Sequence, residues 1–557
     1  MLKYIIVGLS FLLFCCRTKQ NGIPLPKKVI FILADDIGAE WIGAYGCTSQ
    51  QTPNIDRLAE HGYVFDNFSS LPLCAPSRQT ILTGTHQFRR HKYGNVMPNG
   101  SLTFLQILNK QGFKNGLFGK WDGFDRDIDL ADFKIDDYAV FNKGNRRFWN
   151  PEIKENNLIK TYNKTDYGPD IYNSKLLDFI STNKDQKFFA YYAMALGHWP
   201  FVPTPNSQNK NETNWQTNFK DMVDYADKLI GKVISHLETL GIADETLIIF
   251  TTDNGTYPEL TAQLNNNIAK GGKSYSILSG QHVPFIISYG KHFKHKRIKE
   301  LSDFTDIFPT LMDVAQVKTL PENYTKPDGE SLLPFLLQNK PRKKQYTLSY
   351  FGANNFRSDM RALHIRNERW KLYSDGRLVD IKNDPKEYHF TVGFNENDTQ
   401  KEARKKLSNE LDTYKTDTNF NYVKQLIATE NGKIIACWNP KQIALKEASE
   451  IKIDFTPFIT PNTNYRLEIQ HFKGNGGVKV SNVELLKNNT VIASDNHISH
   501  SQTDFKNVYQ FLITKDRTIY NLNCNQTLDA TAKYELKFTV TQIQKGDSYG
   551  VVRLFAE

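Results

Sequence analysis

Unbroken apolar runs, more than alternation, mark the first half of the chain. Val29-Ile30-Phe31-Ile32-Leu33-Ala34 is one, Phe188-Phe189-Ala190-Tyr191-Tyr192-Ala193-Met194-Ala195-Leu196 another, with further runs at 245–250 and 283–288. Each is strand-sized and apolar at odd and even positions alike, the pattern of a strand covered on both faces. Segments with apolar spacing of three and four lie between them. The clearest is 221–240, and helices are also predicted at 52–59, from Cys74 toward Gly84, and at 102–111 and 302–314. Short strands are predicted at 65–70 and 114–119. Stretches 126–173 and 257–270 show neither period and read as irregular, the places where specificity would reside. Strands alternating with helices predict an α/β fold.

The pattern shifts further along. From about Gln345, short strands at 361–366 and 370–373 and a helix near 401–415 suggest a small α+β unit covering 345–425. From Gly432, segments 451–455, 465–469, 478–480, 483–486, 509–513 and 534–540 alternate apolar with polar residues, as half-buried strands do. Turn signals at Asn475-Gly476-Gly477 and Asn488-Asn489 separate them, so 432–557 reads as an appended β-sandwich. A structural or dimerising role and a carbohydrate-binding role both stay open for it.

Residues 1–16, MLKYIIVGLSFLLFCC, join Lys3 to an apolar run too short to span a bilayer. The run fits a signal peptide of lipoprotein type. Cys16 is then the lipidated residue, and Cys15 is small enough for the position before it; a plain secretory signal cut later is the alternative. Either way the mature protein is expected to be exported, to the periplasm or the outer membrane. Cys47, Cys74, Cys437 and Cys524 remain, too dispersed for a disulfide framework or a zinc site. At 557 residues and 39% hydrophobic content the chain can fill more than one core. A net charge of +10 suits a polyanionic partner. Its Lys and Arg are scattered, with no dense basic tract or RNA-reading motif, which argues against nucleic acid.

Candidate chemistry collects at the ends of the apolar runs. The first ends in Asp35-Asp36, adjacent carboxylates that repel and call for a cation, and hard oxygen ligands favour Ca²⁺ or Mg²⁺ over zinc. A solvated turn is the plainer reading of that pair. Another run ends at Gly197-His198-Trp199-Pro200, where a histidine can serve as a general acid. A third ends at Thr251-Thr252-Asp253-Asn254-Gly255, followed by Lys270-Gly271-Gly272-Lys273. Lys120 follows the 114–119 segment. The segment Cys74-Ala75-Pro76-Ser77-Arg78 puts one sulfur at the mouth of a helix, where unpaired N–H groups favour negative charge. Pro76 suits the first turn, Ser77 can cap it, and Arg78 can fork onto an oxyanion. Oxygen donors on separate strands beside a nucleophile and several cations fit metal-assisted transfer at a tetrahedral sulfuryl or phosphoryl centre.

These pieces together, LADD at 33–36, CAPSRQTILTG at 74–84, GKW at 119–121, GHWP at 197–200, TTDNG at 251–255, GGK at 271–273 and LVDIKNDPKE at 378–387, resemble the type I, formylglycine-dependent sulfatases. The resemblance spans about residues 27–420. It implies an alkaline-phosphatase-like sandwich of a large mixed sheet between helices, with a catalytic domain at 27–340. It also implies that Cys74 is oxidised by a formylglycine-generating maturation enzyme to 3-oxoalanine (formylglycine), whose hydrate supplies the nucleophilic hydroxyl. By the same resemblance Asp35, Asp36, residue 74, Asp253 and Asn254 bind one Ca²⁺. Arg78 and Lys120 hold the hydrate and the sulfate, Lys273 holds sulfate from the other side, and His198 protonates the leaving sugar oxygen. Many family members read G-K-W-H where this chain has Asp122. Either Asp122 takes that histidine's place, or His86 or His91 fills the space, or the release step is arranged differently.

The expectation is therefore an exported sulfatase acting on a sulfated poly- or oligosaccharide. Its composition and lipoprotein-like leader resemble polysaccharide sulfatases of Bacteroidetes. Algal glycans such as ulvan, carrageenan or fucan and host glycosaminoglycans are the competing substrates. A phosphoric or phosphonic ester hydrolase of the same superfamily, or a catalytically dead glycan-binding protein, are the alternatives. Membrane contact is expected only through the lipid anchor.

Overall fold

The apolar runs assemble into one ten-stranded sheet with the order Lys296–Ile298, Gly62–Phe65, Phe285–Tyr289, Thr246–Thr252, Lys28–Ala34, Phe188–Ala193, Lys114–Gly119, Asp137–Phe141, Glu152–Glu155 and Leu158–Thr161. The structure, a computed structural model, describes residues 23–93, 96–97, 100–124, 130–141, 146–352, 361–392, 396–438, 448–459, 465–473, 478–495, 499–501, 518–523, 528–529, 531–542 and 549–556. The leader at 1–16, the segment at 509–513, the turn at 475–477 and Cys524 lie outside those residues.

Five strands, from Thr246–Thr252 to Asp137–Phe141, run parallel, and antiparallel pairs flank them on both sides. The sheet is therefore mixed, sandwiched as expected. Along Lys28–Ala34, Val29, Phe31 and Leu33 enter one core while Ile30, Ile32 and Ala34 enter the other. Helices Cys74–Thr83, Phe104–Lys110 and Ile307–Val314 cover the first face; Pro53–Glu60, Gly168–Thr182 and Trp215–Thr239 cover the second. Burial on both faces is what makes these strands uniformly apolar.

Two helix boundaries and two supposedly irregular stretches differ from the sequence reading. The helix predicted at 302–314 begins as the short strand Ser302–Asp303 and a capped turn, because the Asp303 side chain accepts from Thr305 N and turns the chain before Ile307. The 221–240 helix starts earlier, at Trp215, with the Asn214 side chain capping Thr217 N. Among the described residues, stretches 126–173 and 257–270 are not irregular. The first holds three strands of the main sheet and the start of a helix, and the second is the hairpin Thr261–Leu264 with Asn267–Lys270. Both hairpins turn through Asn-Asn pairs with positive φ, 45° and 72° at Asn156 and Asn157 and 47° and 67° at Asn265 and Asn266.

A four-stranded antiparallel sheet, Thr347–Phe351, Ala362–Arg366, Trp370–Tyr373 and Leu378–Asp380, packs against helices Asp398–Asp412 and Thr418–Asn431. Beyond it, two antiparallel sheets close on one core that includes Phe455, Leu467, Leu485, Tyr520, Leu536, Phe538 and Val552. The segments at 478–480 and 483–486 belong to one strand, Val478–Lys487, interrupted by a bulge after Ser481. Among the described residues no helix is long and apolar enough to cross a membrane.

Candidate active site

Central parallel strands all point their C-terminal ends at one edge of the sheet, the place where open α/β sheets gather ligand groups. Backbone bonds fasten these ends together: Asp35 N donates to Leu196 O at 3.3 Å and Asp253 N to Ala34 O at 3.2 Å. Asp36 sits in the left-handed region at φ 59°, which turns its carboxylate back beside its neighbour's. Gly197, at φ 97°, has no Cβ because one there would lie 2.1 Å from Asp35 O, so the His198 loop rests directly on the Asp35 backbone.

The three carboxylates Asp35, Asp36 and Asp253 are fully buried and offer oxygens within 4.8 Å of one another. Each has a basic partner. Lys120 Nζ lies 2.7 Å from Asp35 Oδ2, Lys273 Nζ pairs with Asp36 Oδ2, and Arg78 donates from Nε and Nη2 to Asp253 Oδ2 at 2.9 and 2.7 Å. Asn254 Nδ2 donates to Asp36 Oδ1 at 2.8 Å. Two acceptor oxygens in this group, Asp35 Oδ1 and Asn254 Oδ1, are buried without a hydrogen-bond partner. Burial alone would neutralise Asp35, but the charges of Lys120, His198 and Arg78 hold its carboxyl well below the usual range. Burial and the Asp35 charge instead push Asp253 up to about 7, against the pull of Arg78. That opposition is the signature of crowded carboxylates, which a cation relieves.

Cys74 opens the helix Cys74–Thr83, its sulfur within 4.8 Å of ligand atoms of Asp35 and His198, and it is 9% exposed. The helix mouth does not make it a thiolate. Burial pushes the thiol up to about 12, outweighing Lys120 and Lys273, so unmodified cysteine would be a poor nucleophile here. Ser77 does not cap the helix as expected: its Oγ exchanges hydrogen bonds with Leu71 N and O at 3.2 and 3.1 Å, bracing the turn before Cys74. Arg78, besides its two bonds to Asp253, donates from Nη1 to Lys120 O at 3.4 Å.

His198 Nε2 lies 3.9 Å from Asp36 Oδ2, and burial lowers the imidazole's pKa against the charges of Asp35 and Asp36. Of the three residues considered for the missing histidine, Asp122 stands at the site, with Oδ2 3.5 Å from Lys120 Nζ. His86 stacks on Phe88 with its backbone N bonded to Asp328, and His91 bonds Phe88 O and stacks on Tyr422.

Two features have no counterpart in the sequence reading. Arg147 Nη1 sits 3.2 Å from His198 Nδ1. The loop that follows Lys273 is anchored by a buried cluster from the small sheet. Lys371 Nζ donates to Ser276 O at 2.5 Å and to Glu387 Oε1 at 2.9 Å, the Tyr373 hydroxyl lies 2.6 Å from both Ser276 O and Glu387 Oε2, and Glu387 also accepts from Leu278 N at 2.7 Å. Only the acidic DPKE segment hinted at it, since no local period joins Glu387 to Ser276.

Comparison with known proteins adds an independent line. A family model described as Sulfatase matches residues 27–317, and one described as N-sulphoglucosamine sulphohydrolase, C-terminal, matches 273–417. An N-acetylgalactosamine-6-sulfatase of Mus musculus is 29% identical over 364 residues, 57% of this chain and 68% of its own length. An N-acetylgalactosamine-6-O-sulfatase of Bacteroides thetaiotaomicron is 24% identical over 460 residues, 66% of this chain and 86% of its own. The solved structure of Ps i-CgsB in complex with k-i-k-neocarrahexaose matches with a TM-score of 0.59 at 22% identity, over 73% of this chain and 94% of that one. At that identity the likeness speaks for the fold.

Proposed function

The chain belongs to the sulfatase family of sulfuric ester hydrolases, and on that premise we propose that it removes sulfate from a sulfated poly- or oligosaccharide using residue 74 as nucleophile. The observation that carries this reading is the meeting of Cys74, three buried carboxylates, Asn254, Lys120, Lys273 and His198 at one edge of the main sheet. The names of the two N-acetylgalactosamine 6-sulfatases make a 6-sulfated amino sugar the first substrate to test. Algal glycans such as ulvan are the next.

Asp35, Asp36, Asp253 and Asn254, with residue 74, are suited to hold one Ca²⁺. The fit rests on hard oxygen donors, on carboxylates crowded enough to divide their pKa values, and on the two partnerless oxygens of Asp35 and Asn254. Bound there, the cation would polarise a sulfuryl oxygen and offset charge developing on it. Formylglycine at position 74 would supply the hydroxyl of a hydrated aldehyde, which fits a site that holds the unmodified thiol protonated. Lys120 and Lys273 approach from opposite partners, Asp35 and Asp36, and in this reading grip the sulfate from two sides. Arg78 keeps Asp253 oriented through its two bonds. His198 holds the proton for the departing sugar oxygen at Nε2.

The division into 27–340, 345–425 and 432–557, with an exported lipoprotein leader at 1–16, belongs to the same proposal. A panel of nitrophenyl sulfate, phosphate and phosphonate esters tests it, using protein made with a maturation enzyme. Sulfate release is expected to dominate. Faster phosphate or phosphonate hydrolysis would favour the sister activity of the superfamily, and inertness toward all would favour a glycan-binding protein.

A further inference from the structure

Building on the sulfatase reading above, we propose that Arg147 receives a second anionic group of the substrate, a carboxylate or a further sulfate carried by the departing sugar. Arg147 is 8% exposed, yet among the described residues it pairs with no carboxylate. Its Nη1 meets His198 Nδ1 at 3.2 Å, its guanidinium lies over the Phe141 ring at 5.1 Å, and its Nε is buried without a partner. Arg78, Arg342 and Arg377 each pair with a carboxylate, Asp253, Asp306 and Asp375, while Arg90 and Arg366, buried without one among the described residues, donate to the hydroxyls of Thr80, Thr83 and Thr85 and of Ser69. An imidazole and a ring face do not neutralise a buried guanidinium, and a desolvated charge without a counter-ion is costly. A planar fork held in that condition is a receptor for an oxyanion.

Position gives the anion its place. The Nε2 edge of His198 faces Asp36, and its Nδ1 edge faces both the Trp199 carbonyl at 2.5 Å and Arg147 at 3.2 Å, so Arg147 lies across the imidazole from the acidic cluster. A sugar oxygen taking a proton from His198 puts its ring beside that imidazole, within reach of the Arg147 fork. Trp149 Nε1 donates to Pro203 O at 2.8 Å, tying the Arg147 segment to the loop that carries His198. Trp199 in that loop is 42% exposed, an aromatic residue of the kind sugars stack on.

The test is calorimetry on Cys74→Ala protein, which cannot turn over, with N-acetylgalactosamine 6-sulfate, N-acetylgalactosamine 4,6-disulfate and a glucuronate-containing disaccharide of N-acetylgalactosamine 6-sulfate. A second anion should tighten binding by about tenfold or more, the worth of one charge-assisted pair. The gain should vanish in Arg147→Met and be partly restored in Arg147→Lys, which keeps the charge and loses the fork. Whether the disulfate or the uronate shows the gain identifies its source. Equal weakening of all three sugars by Arg147→Met, no gain from either anion, or no binding by any would overturn the proposal. Sulfate release from the same sugars by matured wild-type protein tests the sulfatase reading separately. Release without an anion gain sinks only Arg147's role; an anion gain without release sinks only the hydrolysis.

Discussion

Lys120 reaches past an intervening strand to place Nζ 2.7 Å from Asp35 Oδ2. Their strands, Lys114–Gly119 and Lys28–Ala34, are separated in the sheet by Phe188–Ala193, which itself leads to His198. Three strand ends thus deliver a base, an acid and a histidine to one point, and the pair marks where cation and substrate would meet.

Breaking that pair exposes the site's need for positive charge. Lys120→Met leaves the Asp35 carboxylate buried without its nearest partner and should cost about 3–5 kcal/mol of stability. Calcium should recover more of the melting temperature in Lys120→Met than in wild type, since a cation replaces the lost charge. Equal shifts in both proteins would argue against a cation beside Asp35.

Asp122 stands at the position where the sequence resemblance leads one to expect a histidine. Its carboxylate is 3.5 Å from Lys120 and none of the proposed calcium ligands is Asp122. Asp122→Ala should bind calcium as wild type does, seen by titration, and lose turnover by about 10²-fold or more, the usual worth of a positioned acid–base group. Unchanged turnover removes Asp122 from catalysis.

The sheet edge was legible in the sequence because strands buried on both faces must be apolar throughout, so where each run stops, at Asp35, Lys120, His198 and Asp253, the polar residue is conspicuous. The nucleophile helix was legible through Cys74, Pro76 and Arg78. Arg147 was not, because it lies near edge strands whose last member, Leu158–Thr161, is exposed along its length and so carries no alternation. The Asn-Asn turns at 156–157 and 265–266 were the overlooked signal, since asparagine tolerates the positive φ that tight hairpins require. Pairings such as Lys371 with Glu387 and Ser276 are fixed by tertiary packing and leave no local trace.

That cluster makes a separate prediction. Glu387→Ala leaves the Lys371 ammonium buried without its 2.9 Å partner and frees the loop after Lys273. The variant should lose about 3–5 kcal/mol in denaturant unfolding. Among molecules still folded, KM should rise as Lys273 loses its fixed position. A wild-type KM in the folded fraction would confine Glu387 to stability.

Acid stability should depend on His282. Its Nε2 donates to Asp66 O at 2.9 Å, and burial, helped by Arg366 and Arg297, lowers its pKa from 6.5 to about 4. Between those values the unfolded chain binds the proton and the folded one does not, so stability is intact above pH 6.5 and is lost as pH falls toward 4. His282→Gln should flatten that part of the stability curve, measured by urea unfolding across the window. A slope identical to wild type would mean that other groups carry it.

Sulfate released per mole of protein, measured against the fraction of chains whose Cys74 has become the aldehyde, tests the central claim most directly. The account predicts a straight line through the origin, with Cys74→Ala lying at zero. Sulfate release by unmodified protein, or none from fully converted protein offered a broad set of sulfated sugars, would contradict it.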